Sequence, residues 1–146
     1  MVLPTTLDAI AHVIQLAIAP VFLLTAVGTL LSVLTNRLGR AVDRRRALLK
    51  LAVPAATQAE VDDARAELPV IARRVRLIYR AIALAVLCAI FICLLIALAF
   101  ADAFLTINLA RVLGVLFIIA MLALIGALSM FLREIFIAID TPTRTG

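Results

Sequence analysis

Tryptophan is absent from this 146-residue sequence, histidine occurs once and cysteine twice. His12 is the lone imidazole, so no His cluster exists to hold a metal, and no Ser or Cys can be set beside it as an activated nucleophile. The five glycines form no loop of the kind that cradles phosphates. Cys88 and Cys93 lie five residues apart inside an apolar run, about 140° around a helix. That placement suits small polarizable packing residues and not a zinc site. These absences predict a protein that is not an enzyme and carries no cofactor and no metal.

Three further absences concern the membrane. No Lys or Arg precedes Arg37, so the apolar run before it lacks the charged start of a secretory signal and reads as a retained span. No acid lies within the apolar runs: Asp102 stands at an outer edge, and Glu134 and Asp140 follow the last run. This argues against a proton-coupled carrier with a carboxylate at the midplane. No Gly/Ser-rich linker divides the chain, so residues 1–146 read as a single membrane domain.

What is present is mainly hydrocarbon, at 66% hydrophobic residues. Residues 13–34, 81–101 and 112–132 are each long enough to cross an apolar core of about 30 Å at about 1.5 Å per residue. Eleven of the 14 basic residues lie from Arg37 to Arg80, leaving only Arg111, Arg133 and Arg144 elsewhere. Basic loops stay on the cytoplasmic side, so residues 37–80 are expected inside, the N-terminus outside and the C-terminus inside. The net charge of +5 then records orientation, and with no recognition motif beside it nucleic acid is not an expected partner.

Helix signals continue beyond the first span. Thr5 and Asp8 have the separation of a capping box, and Pro20 predicts a kink. Past Asn36, Arg37, Arg40 and Arg44 recur at i, i+3 and i+7, so the first helix is expected to leave the bilayer without stopping. Pro54 supplies a break, and Thr57 with Glu60 three residues on is a second capping box. A returning helix through Val61, Leu68, Ile71, Val75 and Ile78, bent at Pro69, repeats the basic spacing at Arg73, Arg76 and Arg80. Residues 37–80 thus read as a cytoplasmic helical hairpin with an arginine stripe on each arm. Arg37, Arg40, Arg44, Arg73, Arg76 and Arg80 are the candidate contacts for anions or anionic lipid headgroups, each worth about 1 kcal/mol near a charged surface.

Two faces carry the remaining information. Ala81, Ala85, Ala89, Cys93 and Ala97 put a small side chain at every fourth position of the second span, a ladder expected to let helices approach closely. In the first helix a heptad-spaced seam runs through Asp8, His12, Gln15, Ala19, Phe22, Ala26, Thr29, Val33, Asn36, Arg40 and Asp43, flanked by Thr25 and Ser32. Polar groups in lipid need partners or water, so His12, Gln15, Thr25, Thr29, Ser32 and Asn36 are expected to face protein or a water-filled path. Three helices offer too little protein to cover both faces, which predicts a homo-oligomeric bundle. The seam then lines a pore for ions or small solutes, or packs helices in a non-catalytic scaffold or assembly factor whose basic hairpin binds a cytoplasmic protein partner or anionic lipid.

The stretches HVIQLAIAPVFLLTAVGTLLSVLTNRLGRAVDR, ARRVRLIYRAIAL and FLREIFIA give the chain a resemblance to bacterial membrane proteins grouped as domain-of-unknown-function family 2721. The resemblance spans nearly the whole chain. It implies a small three-helix protein of the bacterial inner (plasma) membrane and assigns no activity and no catalytic residue.

Overall fold

The computed structural model describes residues 6–50, 57–105 and 108–139. They form three α-helices, α1 Thr6–Lys50, α2 Gln58–Leu105 and α3 Ala110–Ile139. All three are long and apolar enough to cross a membrane. At about 1.5 Å per residue, the 45 residues of α1 and the 48 of α2 far exceed what about 30 Å of hydrocarbon needs. The surplus is the helical hairpin. Both helices run unbroken through their prolines, Pro20 and Pro69. Thr5, Pro54 and Asp140 lie outside the described residues.

The contacts divide the chain into two compact units, residues 1–31 with 84–125, and residues 32–83 with 126–146. In the first, α1 buries Val13, Pro20 and Val27, α2 buries Ala85, Cys88 and Ile92, and α3 buries Ala120 and Ala123. On α2 and α3 these are mostly small residues, as suits helices that associate in lipid by close backbone approach and not by expelling water. Ile14, Leu16, Ile18, Phe22, Ile90, Ile118 and Leu122 point outward, a surface that would aggregate in water and that matches lipid. At the α2–α3 connection, Asp102 Oδ1 accepts a hydrogen bond from the Leu109 amide at 3.1 Å, and the Leu109 carbonyl accepts the first bond of α3, from Leu113 N–H at 3.0 Å.

In the second unit α1 buries Leu34, Ala41 and Leu48, α2 buries Ala64, Ile71 and Ile78, and α3 buries Ala127 and Glu134. Each set steps by seven, the repeat of a left-handed supercoil. Three residues after a buried apolar position comes the other seam position of the heptad, and here it is charged: Arg37, Arg44, Glu67 and Arg74. The outer faces carry Arg40, Asp43, Arg45, Arg46, Asp62, Asp63 and Arg65, a surface for water. Thr57 opens α2 as the sequence predicts: its amide and its hydroxyl both donate to Glu60 Oε2 at 2.8 Å, and its carbonyl accepts from Val61 N–H at 3.1 Å.

The rungs of the alanine ladder differ in their burial within the chain. Ala81 and Ala85 are buried and Ala89 is half-buried, but Cys93 and Ala97 are exposed. A step of four turns about 400°, so a strict ladder drifts about 40° per rung on a straight helix. The contact face alternates steps of four and three instead, through Ala81, Ala85, Cys88 and Ile92.

Candidate functional site

Glu134 is the one charged side chain buried completely among the described residues. It sits seven residues after buried Ala127, on the face of α3 turned into the second unit. Arg74 of α2 donates to its Oε1 from two nitrogens, Nε at 3.1 Å and an NH2 at 2.9 Å. Arg37 of α1 brings Nε to 3.0 Å from Oε2. That second contact is ionic only: its direction is poor and Oε2 accepts no well-aligned hydrogen bond. Phe131, one turn before Glu134, lies under the Arg37 guanidinium with 5.4 Å from Cζ to the ring centre. One carboxylate thus ties an arginine from each of the other two helices, and the cluster keeps a net positive charge. The two arginine side chains remain about a quarter exposed, at 25% and 27%, so they are not shut off from water as Glu134 is.

Glu134 stands just after the last apolar run, so patterning along the sequence does not single it out. The signal was present in its heptad register with Ala120 and Ala127, read together with the unmatched arginines of the hairpin.

The six candidate arginines separate into two groups. Arg37 pairs with Glu134, while Arg44 forms a two-pronged bridge to Glu67 across the hairpin arms, Nε to Oε1 at 3.0 Å and NH2 to Oε2 at 2.8 Å. Glu67 accordingly raises the Arg44 pKa above its ordinary value, first through that hydrogen bond and then through its charge. Arg37, Arg40, Arg44 and Arg74 share a cleft of about 240 Å³ with Glu67. Arg73, Arg76 and Arg80 line a different cleft of about 290 Å³, where they are joined by Arg133 of α3 with Leu77 as the apolar wall. No carboxylate pairs with these four among the described residues. Arg133 was not among the sequence candidates.

The polar seam of α1 lies wholly outward: His12, Gln15, Thr25, Thr29, Ser32 and Asn36 are all exposed. Gln15, Phe22, Thr29 and Asn36 each follow a buried residue, Val13, Pro20, Val27 and Leu34, by two positions, about 200° around the helix. Two heptad faces therefore share this helix, and the chain packs on the apolar one. Thr29 donates its hydroxyl to the Thr25 carbonyl at 3.1 Å and Thr25 to that of Val21 at 3.4 Å. A Cβ built at Gly28, on the same outer side, would meet nothing within 4 Å.

Residues 17–143 match the family described as "Protein of unknown function (DUF2721)". Neither a curated protein nor a solved structure matches the chain. The matched segment covers α1 from residue 17 onward and the whole of α2 and α3, the Glu134 cluster and the arginine clefts included, and the chain belongs to domain-of-unknown-function family 2721.

Proposed function

We propose that the protein acts as a homo-oligomer joined through the outward polar face of α1, and that this face lines a narrow path for ions or small solutes. The observation that carries the reading is the placement of Gln15, Thr29 and Asn36 opposite the buried heptad, with His12 also exposed, where the chain's own helices do not cover them. Side-chain amides in hydrocarbon are costly unless they meet a partner or water. A second copy or a water column meets that need. The basic hairpin then stands at the cytoplasmic end of the path, with the N-terminus outside, in the inner membrane of a bacterium. No catalysis is assigned.

A second reading has its own support. Thr25 and Thr29 already spend their hydroxyl protons on their own helix, as threonines at helix contacts do, and open space beside Gly28 suits the backbone of a neighbouring helix. In this reading the seam only joins copies, and the protein is a non-catalytic scaffold or assembly factor whose hairpin holds a cytoplasmic partner or anionic lipid.

Single-channel recording in a planar bilayer under a KCl gradient separates the two. Unitary currents that disappear in Thr29→Leu and Asn36→Leu variants establish the pore. Silence from protein shown to be folded and oligomeric rejects it and leaves the scaffold.

A further inference from the structure

We propose that the cleft formed by Arg73, Arg76, Arg80 and Arg133 is a binding site for a ligand with two or more phosphate charges, held at the level of the lipid headgroups. The proposal stands apart from whether α1 lines a pore.

Convergence of like charge is the first observation. Arg73, Arg76 and Arg80 lie at i, i+3 and i+7 on α2, and Arg133 reaches the same cleft from α3. Cations brought together without a counter-charge repel one another unless an anion completes the set. The neighbouring arginine cleft shows the alternative, since Glu67 lines it and Glu134 holds its Arg37 and Arg74. Among the described residues no acid lines the cleft with Arg133 or pairs with its arginines, which leaves its positive charge open to an anionic ligand. Orientation in the membrane needs basic residues near the surface and nothing more, so it does not account for four of them converging on one cavity.

Residue type and level narrow the ligand. Arginine presents a planar fork that grips phosphate oxygens two at a time, which lysine cannot do. The volume of about 290 Å³ is at the small end of ligand sites, which run from about 300 to 1,000 Å³, and so fits a headgroup and not a whole lipid. Arg80 directly precedes the apolar run that begins at Ala81, and Arg133 directly follows the one that ends at Leu132. Both helices therefore deliver their arginine where hydrocarbon gives way to headgroups. Leu77 supplies an apolar wall beside them.

The test uses the full-length protein in detergent, titrated with cardiolipin, which has two phosphates, with phosphatidylcholine as the neutral control, and separately with pyrophosphate, each followed by native mass spectrometry. Arg76→Gln with Arg133→Gln should weaken cardiolipin or pyrophosphate binding by about tenfold or more, as the loss of charge-assisted hydrogen bonds requires. Arg45→Gln with Arg46→Gln removes the same charge from the exposed hairpin and should change binding less than about twofold. The lysine pair, Arg76→Lys with Arg133→Lys, keeps the charge, loses the fork and should also weaken binding, which guards against misfolding of the glutamine pair. Cardiolipin binding assigns the site to a lipid, and binding of pyrophosphate alone assigns it to a soluble phosphate compound. Equal losses from the two glutamine pairs, or binding of neither phosphate probe, overturn the proposal.

Discussion

Glu134 decides more at the residue scale than any other side chain. A carboxylate with no exposed surface is tolerable only while its charge is matched, and here two arginines match it from two helices. Losing one partner of a buried pair costs about 3 to 5 kcal/mol; the partial exposure of Arg37 and Arg74 places Glu134→Gln near the lower end, at about 3 kcal/mol. Arg74→Gln should cost less than that, because Arg37 still compensates the carboxylate. Arg37→Gln should cost least, since its contact with Oε2 has no well-aligned hydrogen bond. Thermal midpoints of the three variants in one detergent check the order. An Arg37 variant more damaging than the Glu134 variant would show that the cation–π contact with Phe131, and not the carboxylate, organises the cluster.

Element by element, the hairpin is held by two devices of different strength. The Thr57 amide and hydroxyl donate to Glu60 and hold its pKa below the ordinary carboxylate range. A carboxylate whose pKa is lowered on folding stabilises the helix start above its unfolded pKa, and the contribution is lost as pH falls through the lowered folded value. Amide exchange at the first turn of α2, including Val61, should therefore quicken in acid in the native protein. In Glu60→Gln, which keeps an acceptor but cannot titrate, that acid dependence should be missing. The Arg44 to Glu67 bridge is exposed on its arginine side, 58% against 31% for the glutamate, so a double-mutant cycle on thermal stability should give about 1 kcal/mol or less and shrink with added salt.

The capping box was legible in the sequence because Thr57 and Glu60 meet within one turn. The three spans were legible because length and apolarity alone decide them. The inward face of α1 was not: its polar set at Gln15, Thr29 and Asn36 and its buried set at Val13, Val27 and Leu34 repeat with the same period. Periodicity fixes the repeat and leaves the phase to whichever face the other helices can pack against. Arg37 and Arg44 posed a similar ambiguity, because an arginine stripe at heptad spacing looks identical whether it meets lipid phosphate or a buried carboxylate from another helix.

On the scale of the whole molecule, the unanswered demand is the polar face of α1. Back-bonded threonines cost little in an apolar setting, since their only hydrogen is used. Gln15 and Asn36 carry amides whose donors and acceptors no small adjustment within one helix satisfies together. Covering them with a second α1 answers both needs, and the smallness of Ala19, Ala26 and Gly28 along that side allows the backbones to approach. Cross-linking tests this geometry without assuming conduction. With Cys88 and Cys93 replaced by alanine, a cysteine at Thr29 should form disulfide-linked dimers in membranes. A cysteine at Val27, only 1% exposed and turned into its own chain, should not. Disulfides require Cα atoms within about 7 Å, so dimers from Thr29→Cys place two copies of this face in direct contact. Equal yields from both positions would mean random collision. No dimers from Thr29→Cys, with Ser32→Cys and Asn36→Cys equally silent, would mean that α1 meets no copy of itself, and both the axial pore and the packed scaffold would fall together.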